Sequence, residues 1–101
     1  MQLLIFLFKS GMNIKEVLKT SEKRAKDYRK VRGLLQKFYV RDRSSNHFGG
    51  IFIFDSKENL EAFRNSELVR SSQEAYKFVD PPDIRELEIV KLLHEQKEHL
   101  I

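Results

Sequence analysis

The feature that most constrains the fold of this sequence is a pair of strand-like stretches that are each led by glycine. The first stretch follows Gly33 and runs from Leu34 to Arg41. The second runs from Phe48 to Phe54 and carries Gly49-Gly50 near its start. The polar link between them, Asp42 to His47, is short enough for an antiparallel hairpin. These stretches therefore predict two paired strands within a small α+β domain.

The side chains of the first predicted strand separate into two faces, because successive residues of a strand point in opposite directions. One face carries Leu34, Gln36, Phe38 and Val40. The other face carries Leu35, Lys37, Tyr39 and Arg41. A lysine and a tyrosine are therefore expected together on one face of a partly buried strand.

Two segments with regular patterns precede the hairpin. Residues 2–8 form a nearly continuous apolar run, which suits a strand that is buried on both faces. Helical spacing follows, with an apolar stripe formed by Ile14, Val17, Leu18, Ala25 and Tyr28 and with Ser21 filling one position of it. This helix is expected to end near Arg29 to Arg32. Asn13 is the expected N-cap of this helix, and Glu16 stands at the capping-box position. The chain is therefore predicted to begin with a strand and a helix.

Two further segments follow the hairpin. Asp55 is the expected N-cap of a second helix, which breaks near Asn65-Ser66 and resumes to about Lys77. The segment Ile84 to Leu93 fits a strand or a helix by spacing, and its β-branched residues and its place in the order favour a strand. The order strand–helix–strand–strand–helix–strand predicts a ferredoxin-like βαββαβ domain with an antiparallel sheet.

Size and composition set the remaining limits. A length of 101 residues fits one domain, 1–101, whose charged tail from about residue 95 is expected to be frayed or a short helix. A chain this short needs a partner subunit to complete the walls of a ligand cavity. The apolar run Leu3 to Phe8 is too short to span a bilayer and lacks the features of a signal peptide. The absence of cysteine excludes thiol chemistry and fits the cytoplasm.

The hairpin and the helix after it resemble the YdhR family of monooxygenases, within the dimeric α/β barrels that include the antibiotic-biosynthesis monooxygenases. The similar elements are Gly-Leu-Leu-x-Lys-x-aromatic at Gly33 to Tyr39 and Gly-Gly-Ile-aromatic-x-Phe at Gly49 to Phe54. A Leu-x-Ala-aromatic step follows at Leu60 to Phe63. The element order extends the similarity over nearly all of the chain.

This resemblance implies a homodimer whose sheets pack face to face, with a pocket between each sheet and its helices. It also implies a cofactor-independent monooxygenase that acts on a planar apolar substrate, polycyclic or quinol-like or phenol-like, without metal or flavin. Relatives of the same fold carry out other chemistry, so the fold alone does not fix the reaction. Some family members have Trp where this chain has Tyr39.

Lys37, Tyr39 and His47 are the candidate catalytic residues. Burial would lower the pKa of Lys37, and both Lys37 and Tyr39 could hold a phenolate-like oxygen of the substrate. His47 could act as a base near neutral pH. Alternatively, Lys37 extends its amine to solvent at a dimer edge, Tyr39 packs in the interface and His47 is a solvated loop residue.

The numerous aromatic residues could line an apolar pocket for a planar ligand. The candidate pocket residues are Phe6, Phe52, Phe54 and Phe63. The same side chains could instead form the core and the dimer interface. No metal site is expected, because His94 and His99 share neither a helical face nor a strand face.

Two readings compete with the enzyme. The first is a non-catalytic dimer that binds a small ligand or has a stress-related function. The second is nucleic-acid binding through a lysine stripe on the first helix, formed by Lys15, Lys19, Lys23, Lys26 and Lys30. An RNA-recognition motif has the same element order, but Gly50 or Ile51 stands where that motif needs a stacking ring. Nucleic acid is therefore the less favoured partner, and no membrane partner is expected.

Overall fold

The computed structural model describes residues 1–94 and forms one antiparallel sheet with helices on one of its faces. Its strands are β1 Gln2–Lys9, β2 Leu34–Asp42, β3 His47–Phe54 and β4 Asp83–Glu88, and its helices are α1 Ile14–Arg29, α2 Lys57–Arg64 and α3 Glu67–Ala75. The strands lie in the order β2-β3-β1-β4. The predicted ferredoxin-like α+β arrangement is confirmed.

The predicted hairpin forms the β2–β3 half of the sheet, and β1 pairs with both β3 and β4. The strand register places Phe6 beside Gly50 and Gly50 beside Tyr39. Because side chains alternate along a strand, the residues that share this face with Phe6 point toward the helices. We call this the helix-covered face and the opposite one the open face.

A β-bulge in β2 changes one of the predicted faces. Leu34 pairs with Phe54, whereas Gln36 already pairs with Ile53, so Leu35 is the extra residue. Leu34 therefore packs into the core beneath the helices, and Leu35 is exposed. The prediction that Leu34 shares a face with Gln36 was wrong, because a bulge shifts the alternation by one residue.

The caps of the helices were predicted in part. Asn13 caps α1 in a full capping box with Glu16, as expected. The cap of α2 is Ser56 and not Asp55, since the Ser56 hydroxyl accepts the backbone N–H of Asn59. The backbone N–H of Asp55 instead donates to the Gly33 carbonyl, so this residue still belongs to the base of the hairpin. The expected break between α2 and α3 is confirmed.

Aromatic side chains fill the space between the helix-covered face and the helices in two clusters. The first contains Leu4, Tyr28, Phe52, Phe54, Leu60 and Phe63. The second contains Phe8, Val17, Phe48 and Tyr76. The open face of β1 carries Leu3, Ile5 and Leu7, which are only half-buried in the single chain. Burial of β1 on both faces was predicted, and within one chain only the helix-covered face is closed.

The last strand is shorter than predicted. β4 ends at Glu88, whereas the sequence favoured a strand to Leu93. The Ile89 N–H still donates to the carbonyl of Met1, the residue before β1, so beyond this point β4 has no further partner residue in β1. The tail predicted from about residue 95 lies outside the described residues.

Candidate active site

A cavity of about 130 Å³ lies between the helix-covered face and the helices α1 and α3. Its walls are mainly apolar, with rings from β1 and β3 on one side and α1 side chains on the other. The α1 side chains at the cavity include Ile14, Val17 and Leu18, and Leu18 is half exposed at 51%. The space is therefore an apolar pocket with an apolar rim. We call it the inner cavity.

Gly50 creates part of this space. It lies on the helix-covered face between Phe6 and Tyr39 of the neighbouring strands. A Cβ atom at this position would lie 2.8 Å from the Phe52 ring and 3.1 Å from Cε of Lys37. A larger residue would therefore occupy the region into which the Lys37 side chain extends.

Lys37 brings an amine to the edge of the inner cavity, where three rings surround it. Its Nζ lies 3.4 Å from the centroid of the Tyr28 ring, 4.2 Å from that of Tyr39 and 4.9 Å from that of Phe52. No described side chain forms a hydrogen bond or ion pair with this nitrogen. Burial, and secondly the nearby Arg24 charge, lower the pKa of Lys37 to about 7. The ring faces act in the opposite direction, because they favour the ammonium form.

Two tyrosine hydroxyls accompany this amine. Burial raises the pKa of Tyr28, and the neighbouring Arg24 partly opposes that shift. Burial also raises the pKa of Tyr39, although its side chain is half exposed at the cavity edge. Both phenols therefore stay protonated at neutral pH and can donate a hydrogen bond to an oxygen of a ligand.

A buried polar group closes the other side of the inner cavity. The hydroxyls of Ser21 and Tyr76 lie 2.9 Å apart, and both residues line the space. Behind them, Arg24 donates to the Leu68 carbonyl at 2.7 Å and to the Ser71 hydroxyl at 3.3 Å. Its buried Nε has no partner among the described residues. This group fixes α1 against α3 and places a positive charge beside the cavity.

The structure brings together most of the predicted site residues. Lys37, Tyr39, Phe6, Phe52 and Phe63 all line the inner cavity. Phe54 does not: its side chain is fully buried in the first aromatic cluster, below the cavity wall. The expectation that Phe54 shapes the pocket surface is therefore corrected to a role in the core.

The structure separates His47 from the other candidate catalytic residues. His47 precedes Phe48, which points toward the helices, so the His47 side chain lies on the open face at the end of β3. Its Nδ1 lies 2.7 Å from the Ser45 hydroxyl, and it does not line the inner cavity. A catalytic role beside Lys37 is not supported by this position, because strand alternation directs neighbouring residues to opposite faces.

Sequence reasoning missed the residues that hold Lys37 in place. Tyr28 was recognised only as part of the apolar stripe of α1, and Arg24 was not singled out. The pairing of Ser21 with Tyr76 had one usable signal, since a serine filled a position in the apolar stripe. Such a serine indicates a buried hydroxyl that needs a partner.

Other predicted features of the described chain lie outside the inner cavity. The lysines of the α1 stripe are exposed. No group of three His, Cys, Asp or Glu side chains within residues 1–94 is placed to hold a metal ion. His94 lies at the end of the described chain, and His99 lies outside it. No helix in residues 1–94 is long and apolar enough to cross a membrane.

Comparison with solved structures finds the same fold in several bacterial proteins. Cofactor-independent oxygenase SnoaB from Streptomyces nogalater has 12% identity and a TM-score of 0.72, covering 93% of this chain and 97% of its own. A putative antibiotic biosynthesis monooxygenase from Deinococcus radiodurans has 13% identity and a TM-score of 0.70, covering 95% and 99%. A protein of unknown function from Nitrosomonas europaea has 13% identity and a TM-score of 0.71, covering 94% of each chain. At these identities the likeness shows the fold alone.

Comparison of sequences identifies the family. No curated protein matches the chain. The sequence profile of the family described as "Putative mono-oxygenase ydhR" matches residues 3–82, which include β1 except Gln2, the hairpin, the helices α1, α2 and α3, and the residues that line the inner cavity. Because this match spans well over half of the sequence, the chain belongs to the ydhR family.

Proposed function

We propose that this chain is a cytoplasmic, cofactor-independent monooxygenase that oxidises a planar apolar phenol or quinol and works as a homodimer. The observation that carries the proposal is Lys37, a single amine of lowered pKa at the edge of an apolar cavity, held among three aromatic rings. Membership of the ydhR family supports the reaction class.

The chemistry requires a substrate anion that is electron-rich enough to react with dioxygen. The neutral Lys37 amine accepts the phenol proton, and the ammonium it becomes pairs with the phenolate oxygen. Tyr39 donates a hydrogen bond to the same oxygen. Dioxygen then forms a C–O bond at a ring carbon that carries hydrogen, and the O–O bond breaks. One phenol and one O₂ thus give one quinone and one water.

The apolar walls serve this reaction in two ways. Rings such as Phe6 and Phe52 contact a flat substrate, and they keep water away from the anion and from the peroxide that precedes O–O cleavage. The pKa of the Lys37 amine also suits a general base. An amine with a pKa near 7 is partly neutral at physiological pH, so it can accept the phenol proton and release it after the oxygenation.

The homodimer is proposed from the open face of the sheet. The half-buried apolar residues on this face are Leu3, Ile5, Leu7, Phe38, Val40 and Ile51. A contiguous apolar surface of this kind marks an interaction site in a chain that stays in solution. A second copy would cover it by sheet-on-sheet packing, which suits two faces of the same composition.

Oxygen consumption with a panel of single-ring and fused-ring phenols and quinols tests the proposal. We expect uptake with at least one compound, with kcat/KM rising as the pH passes through about 7 because the base must be neutral. Lys37→Met should lower kcat/KM by about 10²- to 10⁴-fold. Lys37→Arg keeps the charge but cannot act as a base, so it should lose nearly as much. Binding without uptake across the panel would instead indicate a non-catalytic ligand-binding dimer.

A further inference from the structure

A second depression, which we call the outer cleft, adjoins the inner cavity. It measures about 370 Å³ and lies between the C-terminal end of α1 and the start of β2. Tyr28, Lys37 and Tyr39 line both spaces, so they form the boundary between them. A ligand that is larger than the inner cavity can therefore extend past the amine into the outer cleft.

The volume of the inner cavity limits what it can hold. In another protein a cavity of about 150 Å³ binds one benzene molecule. The inner cavity, at about 130 Å³, therefore accepts a single aromatic ring and excludes a fused tricyclic system. Any further part of the substrate must leave this space at the boundary or at the rim near Leu18.

The charges around the two spaces favour the boundary as the exit. Within residues 1–94, no Asp or Glu lines either space. Arg29 lines the outer cleft without a hydrogen bond or ion pair to any described residue, and its charge acts on the Tyr39 hydroxyl. Arg41, at the inner cavity, is already engaged by the Asn46 side chain and the Phe48 ring.

We propose that the substrate is a single-ring phenol with an acidic side chain, whose ring fills the inner cavity and whose carboxylate lies in the outer cleft against Arg29. The hydroxyl and the side chain leave the ring on the same edge, because Lys37 stands at the boundary that the side chain crosses. This inference rests on the proposed function for the role of the phenol. The carboxylate contact is separate from it and is measured by binding alone.

Isothermal titration calorimetry tests the carboxylate contact. The probes are 2-hydroxyphenylacetate, its uncharged methyl ester and the fused tricyclic 9-phenanthrol. We expect the acid to bind wild type about fivefold more tightly than the ester, as one partly exposed ion pair contributes. Arg29→Gln should abolish that preference, and 9-phenanthrol should bind weakest. Lys26→Gln is the matched control, because Lys26 is also an exposed basic residue of the last turn of α1 and lines neither space.

Four results would each overturn the inference. They are equal binding of acid and ester to wild type, a larger loss of acid affinity in Arg41→Gln than in Arg29→Gln, tightest binding by 9-phenanthrol, and no binding of the acid. Thermal midpoints within about 2 °C of wild type show that each variant is folded. Oxygen uptake is measured separately with the phenol that binds best. Its absence would refute the monooxygenase proposal and leave the carboxylate contact standing.

Discussion

Both faces of the sheet are largely apolar, and they differ most clearly at β2. Toward the helices it directs Lys37 and Tyr39, and on the open face it places Phe38 and Val40. A sheet with one solvated face has the reverse arrangement, with apolar residues inside and polar residues outside. This contrast is the common basis of two proposals, a functional amine in the interior and a second copy of the chain over the open face.

Each face of the sheet carries one feature that is unfavourable in an isolated chain. A buried lysine destabilises the fold, because its charged form loses hydration. An uncovered apolar face favours association. Both features are reasonable in one molecule if the open face packs against a second copy and the helix-covered face carries the chemistry. The following predictions test these two features, beginning with the open face.

The largest effect is expected from Ile51→Glu. Ile51 lies at the centre of the open face, between Ile5 of β1 and Phe38 of β2. In a symmetric dimer the change buries two unpaired carboxylates, which we expect to weaken association by at least about a thousandfold, or 4 kcal/mol. Sedimentation velocity over a range of concentrations measures the dissociation constant.

The control for this change is Val79→Glu, since Val79 is an apolar residue, 57% exposed, that lies outside the strands. It should leave the dissociation constant unchanged. If Ile51→Glu also leaves a dimer intact, the chains associate through another surface, and the open face needs a different explanation.

The next largest effect is expected at the two adjacent glycines of β3, whose replacement by alanine should lower stability by different amounts. A Cβ atom on Gly49 would overlap the backbone carbonyl of Phe6, so β1 and β3 would have to move apart. The three atoms nearest to a Cβ atom on Gly50 belong to the Phe52 ring and to the flexible end of Lys37. We expect Gly49→Ala to lower the free energy of unfolding by about 3 kcal/mol and Gly50→Ala by about 1 kcal/mol.

Urea unfolding at one fixed protein concentration compares these two variants. Gly50→Ala should lower ligand affinity more than its small loss of stability suggests, because it fills part of the inner cavity. Equal stability losses for the two variants would show that the strand spacing around Gly49 adjusts freely.

Lys37→Met should stabilise the protein in a pH-dependent way. The folded-state pKa of Lys37 is lowered to about 7 from 10.5, so between these values the unfolded chain binds more protons. Wild-type stability therefore rises with pH across this window, and the penalty of the buried lysine is complete below about pH 7. We expect Lys37→Met to be more stable by about 2 kcal/mol at pH 6 and to lose most of that advantage by pH 10.

Urea unfolding at several pH values measures this effect, with Lys23→Met as the control. Lys23 is an exposed lysine of α1, so its replacement should change stability little at any pH. A stability difference between Lys37→Met and wild type that does not vary with pH would mean that the amine stays fully hydrated in the folded protein.

Local sequence patterns predicted the positions of most strands and helices. The two features that they missed, the bulge and the cap of α2, depend on tertiary contacts. Glycine positions and alternation gave the β2–β3 hairpin, and the capping box of Asn13 gave the start of α1. The bulge at Leu35 could not be predicted, because either register leaves an apolar residue facing the core. The choice of Ser56 over Asp55 as a cap depends on the hydrogen bond from Asp55 to the hairpin base, which has no local signal.

The sequence predicted only the part of the candidate site that lies on a single strand, β2. Alternation placed Lys37 and Tyr39 together, and the structure places both at the inner cavity. The position of Tyr28 beneath the amine and of Arg24 behind it depends on how α1 packs across the sheet, which spacing along one helix does not reveal. The register between β2 and β3, together with alternation along β3, places the His47 side chain on the face opposite to that of Lys37.

The smallest effect is expected from Tyr39→Phe, which separates the two contributions of this residue to the helix-covered face. The ring, 4.2 Å from the Lys37 amine, is retained, and only the hydroxyl is lost. If that hydroxyl donates to the substrate oxygen, kcat/KM should fall by about tenfold or less, while the free energy of unfolding stays within about 0.5 kcal/mol of wild type. Steady-state oxygen uptake and urea unfolding provide the two numbers. An unchanged kcat/KM would assign Tyr39 to the wall around the amine, and Lys37 would then hold the substrate oxygen without help from the Tyr39 hydroxyl.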